Sequence, residues 1–239
     1  MTKHKKKNHI LSITASEKYR TIDDLFEGSK ESSTYYTLLM VSVLIVTAGL
    51  ILGNSSVVIG GMLVAPVLTP ILVIALGLEV GRYDVIHHPL ILVGKSVVLS
   101  IGASLFLAWI FGAENHQFLD ENTMKTAFLY FLVAICAGVA GTFAWARKEV
   151  SDVLPGIAIS VALVPPLAQI GIWFSLLNLE AARFYVITFL LNLLGITIGS
   201  WLVFSFLKFY RAEHIIRREV AEVHREKKQE EKERNAHKK

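Results

Sequence analysis

Residues 52–71 read LGNSSVVIGGMLVAPVLTPI. The stretch has no charged residue, and its polar side chains are Asn54, Ser55, Ser56 and Thr69. It holds two glycines, Gly60 and Gly61, and two prolines, Pro66 and Pro70. It lies across an apolar run, 57–78, that at about 1.5 Å per helical residue is long enough to cross a ~30 Å hydrocarbon core. Proline inside a helix removes a backbone hydrogen bond and clashes with the preceding turn. In lipid no water is present to satisfy the freed groups, so protein must do it. The stretch therefore predicts a membrane-spanning segment that is interrupted and enclosed by neighbours.

Runs of the same length and polarity occur at 35–52, 89–111, 126–146, 153–177 and 184–207. With 57–78 they predict an all-α polytopic membrane protein of about six transmembrane helices. Composition agrees. Hydrophobic residues make up 53% of the 239 residues, and the mean hydropathy is +0.51. Charged residues are 18%, concentrated in 1–34 and 208–239. Between them too few polar residues remain to coat a soluble domain. The expected organisation is a polar cytoplasmic arm (1–34), a transmembrane domain (35–207) and a charged cytoplasmic helical tail (208–239). The N-terminus stays polar through Thr34, unlike a secretory signal, so the first apolar run is expected to be retained.

In the arm, Thr21 is placed to cap a helix whose Ile22, Leu25 and Phe26 share one face. Such a helix would lie on the membrane surface or remain a loose tail. The tail alternates Arg, Glu and Lys without Gly or Pro, and is expected to continue the sixth span as a helix. Lys and Arg alternate between rich and poor flanks along the chain, which places both termini on the cytoplasmic side of the cell membrane. The net charge of +4 is set beside spans, where it favours anionic lipid headgroups over nucleic acid.

A second proline-bearing run, 156–166, reads GIAISVALVPP. Gly60 and Pro70 of the second span recur 96 residues later as Gly156 and Pro166. Ser100-Ile101-Gly102 and Thr197-Ile198-Gly199 match at 97, a register that sets Lys95 against Asn192. The chain thus reads as two three-span repeats, 35–111 and 126–207, inserted with opposite orientation as in many secondary transporters. Interrupted second and fifth helices would meet near the midplane. The residues expected along a solute or ion pathway are Asn54, Ser55, Gly60, Gly61, Pro66, Thr69, Pro70, Lys95, Gly156, Ser160, Pro165, Pro166, Gln169 and Asn192. The competing reading is structural: glycines for close helix approach, prolines for kinks, and a Lys95 that snorkels to the headgroups.

Several chemistries lack their residues. No Asp or Glu lies inside a span, which argues against carboxylate proton coupling. The lone cysteine, Cys136, excludes an internal disulfide and a cysteine metal site. His87 and His88 are adjacent and diverge on a helix, a poor metal pair. No enzyme motif, metal or cofactor is expected.

Residues 52–71 also resemble the signature of the domain of unknown function 389 family, prokaryotic membrane proteins with an uncharacterised hydrophobic domain. The resemblance extends over roughly 35–207 and includes the Pro165-Pro166 span. It implies a polytopic membrane protein and assigns no activity. Two functions remain open: permeation or transport of a small solute or ion, and a non-transporting scaffold or sensor acting through arm and tail. Six short-looped helices make a thin wall, so a homo-oligomer is expected.

Overall fold

A computed structural model of the chain describes residues 14–113, 124–147 and 155–212. Among these the fold is all-α. The helices are α1 (Ala15–Gly28), α2 (Ser33–Ile51), α3 (Ser55–Met62), α4 (Leu68–Val80), α5 (Tyr83–Phe111), α6 (Met124–Ala146), α7 (Pro155–Ser175) and α8 (Leu179–Phe206). A short 3₁₀ turn, Phe209–Ala212, follows. Among the described residues, four helices are long and apolar enough to cross a membrane: α2, α5, α6 from Lys125, and α8. The 57–78 run is two helices, α3 and α4, separated by residues 63–67.

Turns between helices follow local chemistry. Gly53 takes a left-handed conformation (φ 63°), and Asn54 then caps α3 by accepting from the amides of Ser56 and Val57 at 3.0 and 3.2 Å. Gly81 ends α4 in the same left-handed region (φ 68°). α2 and α3 form an antiparallel hairpin held close at Gly61, where an added Cβ would lie 2.9 Å from the Val46 amide nitrogen. The Ser42 hydroxyl donates to the Gly61 carbonyl there at 2.7 Å.

α2 and α5 run parallel. Tyr35 meets Ser96 (hydroxyl oxygens 2.9 Å apart) near one end, and Leu50 packs on the cluster around Ala108 near the other. α6 and α8 are also parallel, and they touch through glycine. Gly195 approaches Phe131 and Ala134, and Gly199 approaches Ile135 and Val139. The four-residue spacing of Gly195 and Gly199 makes one flat strip that lets the backbones approach. α7 meets α5 at Gly171, against Ser104 and Ile101. The outward faces stay apolar, with Phe106, Trp109, Phe128, Leu190 and Phe206 exposed, as lipid contact requires.

Five expectations are corrected. First, α1 does not begin at Thr21. Its cap is Thr14, which forms a capping box with Glu17, while Thr21 is buried in mid-helix and donates to the Glu17 carbonyl at 2.8 Å. Hydrogen bonds from Thr14 hold the Glu17 carboxyl below its ordinary pKa. Its contribution to the helix end is therefore present above the ordinary carboxylate range and lost as pH falls through the lowered value.

Second, α1 is not a surface or loose segment. Ile22 and Leu25 are fully buried, in one core cluster with Leu72, Leu76, Val203 and Phe204. Third, α5 begins at Tyr83, so Pro89 lies within the helix rather than at its start. Fourth, α7 runs through Pro165 and Pro166 as one helix; the fifth span is not interrupted. Fifth, α8 ends at Phe206, and Lys208 turns left-handed (φ 57°). The chain folds back there: Phe209 is fully buried with its ring 4.9 Å from Phe204, and Lys18 donates to the Lys208 carbonyl at 2.7 Å. The rest of the charged tail lies outside the described residues.

The glycine contact gives a direct test. Gly199→Leu forces α6 and α8 apart and should lower the thermal midpoint of the detergent-solubilised protein by several degrees. Gly102→Leu, at a position with open space around it, should leave the midpoint within about a degree.

Candidate functional site

The break between α3 and α4 enters the bundle as it proceeds: Leu63 is exposed, residues 64–66 are half-buried and Val67 is buried. Val67, at its last position, is buried in one apolar cluster with Tyr35 and Leu39 of α2, Leu92 of α5, and Val164 and Ala168 of α7. One turn on, Ile71 joins Leu163, Leu167 and Ile170 of α7 in a second cluster. The structure therefore sets the α3–α4 break beside the segment of α7 that carries Pro165 and Pro166.

Residue chemistry explains the break. Gly60 and Gly61 weaken the end of an eight-residue helix. Pro66 disfavours the helical region at Ala65. The turn closes locally, with the amides of Val64 and Ala65 donating to the carbonyls of Gly61 and Met62, both at 3.2 Å. Pro70 then falls in the first turn of α4, where a missing N–H costs little. In α7 the same residue type has a different outcome. Pro165 and Pro166 supply no N–H to the carbonyls of Val161 and Ala162, yet burial of Leu163, Val164, Leu167 and Ala168 holds the helix together.

The polarity near the break is backbone in origin. The C-terminal end of α3 presents carbonyls, and α4 starts at Val67 without a side-chain cap, so partial charges of opposite sign face one region. Among the described residues, the buried polar side chains are hydroxyls together with Asn192; none is charged. No group of three His, Cys, Asp or Glu there could hold a metal ion.

The sequence-selected residues separate into distinct groups. Pro66, Thr69, Pro70, Pro165 and Pro166 lie at or beside the break, and Gln169 is half-buried one turn along α7. Gly61 is a packing glycine under α2, whereas Gly60 is exposed with open space around it. Asn54 and Ser55 sit at the far end of α3, where Asn54 serves as its cap. Asn192 is buried in α8. Lys95 is exposed on α5 and paired with Glu31 at 2.7 Å, so the register that matched it with Asn192 places the two in unlike surroundings. Gly156 and Ser160 lie in the first turns of α7, and their side chains lie outside the described residues.

Gly28, at the end of α1, was not selected from the sequence. The Thr69 hydroxyl, in the first turn of α4, donates to the Gly28 carbonyl at 2.6 Å. A Cβ on Gly28 would lie 2.8 Å from the Thr69 methyl. The C-terminal end of α1 is thus fastened to the start of α4. The capping-box pattern Thr14–Glu17 signalled a helix there; nothing in its apolar face distinguished a bundle partner from a membrane surface.

Fold and site together define an all-helical membrane protein with a broken helix at its centre. The chain belongs to the family described as Domain of unknown function (DUF389), whose model matches residues 62–198. It is similar to an uncharacterised protein of Methanocaldococcus jannaschii, MJ0678, at 25% identity over 199 residues, which are 81% of this chain. The match covers 59% of that relative's length. No solved structure matches the chain.

The fastening of α1 is testable. Thr69→Val keeps the shape and removes the donor, at a cost of about 1 kcal/mol. Hydrogen exchange of the amides of residues 22–28 should accelerate about fivefold, while exchange in α8 stays unchanged.

Proposed function

We propose that the protein is a six-span permeation or transport protein for a small solute or ion, with its site at the α3–α4 break against α7. The observation that carries this reading is the five-residue interruption, 63–67, which runs from an exposed Leu63 through half-buried 64–66 to a buried Val67 beside a diproline in the neighbouring helix. A soluble core gains nothing from such a break. In a membrane, non-helical backbone is tolerated where protein buries it or where it lines a cavity, and half-helix ends are a recurring means of binding ions and polar solutes. The uncharged interior favours a neutral solute, or an ion held by carbonyls and hydroxyls, over proton coupling through carboxylates.

Two features support the inverted-repeat reading. α2 and α5 form one parallel pair and α6 and α8 another, and each half places a proline-bearing segment antiparallel to its pair. The halves then differ in one respect: the first breaks its middle helix, the second bends it at most. Basic residues support cytoplasmic termini. Lys18, Arg82, Arg147 and Lys208 collect at the end where α8 finishes, whereas the opposite end carries Lys125 and Arg183. The broad apolar outer surface and thin wall favour assembly as a homo-oligomer.

Thiol accessibility tests the site. Single cysteines at Val64, Ala65 and Gln169, in a Cys136→Ser background, should react with a membrane-impermeant reagent in intact membranes. Leu72→Cys, fully buried in α4, should not. If only positions at the helix ends such as Ser55 and Leu177 react, water does not reach the break. The transport reading then fails in favour of a scaffold acting through arm and tail.

A further inference from the structure

On the outer surface, α2 and α5 diverge to leave a groove of about 910 Å³, within the size range of pockets that bind small molecules. It is lined by Met40 and Val41 of α2 and by Gly94, Lys95, Val98 and Leu99 of α5. Gly94 has open space where a Cβ would project. Tyr36 and Thr37 complete the lining, so the groove is mostly apolar, with two hydroxyls and one cation, the Lys95 ammonium that Glu31 pairs with.

The polar end of the groove is built. Lys95 donates one N–H to Glu31, which is presented by the α1–α2 connection, at 2.7 Å. The Tyr36 hydroxyl donates to the same carboxylate oxygen, also at 2.7 Å. Glu31 thus positions the ammonium while using one of its three donors. The side chain of Lys95 remains half exposed. The ammonium lies level with the start of α2, where the α1–α2 connection reaches α5.

We propose that this groove is a binding site for an anionic phospholipid, with an acyl chain against Val41, Gly94 and Val98 and the headgroup phosphate on Lys95. Charge complementarity selects this occupant: a neutral acyl surface alone would fit any lipid, and the cation at the groove edge adds a preference for phosphate. The site depends on the membrane setting of the chain and is independent of whether anything permeates at the break.

Native mass spectrometry of the full chain released from detergent, with dioleoyl phosphatidylglycerol or dioleoyl phosphatidylcholine added, provides the test. Wild type should retain phosphatidylglycerol about fivefold better, the effect of one cation at an anionic headgroup. Lys95→Gln should abolish the preference. Glu31→Gln removes the competing carboxylate and should raise it, a change of sign that mere loss of structure cannot produce. Gly94→Phe should reduce retention of both lipids, whereas Gly102→Phe, elsewhere on α5, should not. Equal retention of the two lipids by wild type, or a preference unchanged in both Lys95→Gln and Glu31→Gln, overturns the proposal. So does a wild-type dimer that Gly94→Phe converts to monomer, since a second copy would then fill the groove. Accessible cysteines at the break and absent lipid preference would reject this site alone; the converse would reject permeation alone.

Discussion

The constraint on which the structure depends is the enclosure of α4. Exposure begins only at Leu78, in the last turn; every residue from Thr69 to Gly77 is buried, so nine of the 13 residues of this helix offer no face to solvent or lipid. At about 20 Å it is too short to span a hydrocarbon core, and its first turn lacks a side-chain cap. Exposed to lipid, that end would leave backbone donors unsatisfied at several kcal/mol each. The bundle instead wraps it. α5 and α8 flank it, α7 covers its start, and α1 with the 3₁₀ turn closes the remaining side. Enclosure makes a broken helix tolerable, and the segments that looked peripheral in the sequence supply part of it.

This explains the role of α1. Its buried stripe of Ile22, Leu25 and Phe26 meets Leu72, Val73, Ala75 and Leu76, and its last residue meets the first turn of α4 through Thr69. Lys18 at the other end holds Lys208, where the chain leaves α8. Glu79, just before α4 ends, lies beside Ser205 and Trp201 of α8, whose donors favour its carboxylate. Both ends of α4 are therefore pinned by polar contacts while its length is held by apolar packing. A half-helix fixed in this way keeps its amide end at the break, which a binding site built from backbone dipoles requires.

Much of this was legible because span length and polarity are one-dimensional properties. The apolar runs and the break ahead of Pro70 can be read from residue order. The failures share a physical cause: they depend on what lies beside a residue. Pro66 sits in a break and Pro165-Pro166 does not, although both look alike in sequence; burial of Leu163, Val164, Leu167 and Ala168 overrides the local preference of α7. The stripe of α1 has the same period whether it faces a membrane or a protein groove. Lys95 looked like an intramembrane charge because it falls within the apolar run 89–111. In the fold it stands beside Glu31, supplied by a distant segment of the chain, at an exposed position where an ion pair costs little.

Tyr35 and Tyr36 show how closely two environments are joined. Their rings meet edge to face at 5.5 Å, yet they turn to opposite sides of α2. Tyr35 is buried, shares a hydrogen bond with Ser96, and belongs to the apolar cluster that contains Val67 at the break. Tyr36 faces outward to Glu31 and the α2–α5 groove. Ser96 follows Lys95 in sequence, so two consecutive residue pairs, one on each helix, divide between interior and surface. Helical geometry makes this unavoidable, since neighbours in sequence point about 100° apart. A shift of α2 against α5 at this level would disturb the break and the groove together, which makes this pair of helices a direct structural link between the apolar outer surface and the centre of the protein.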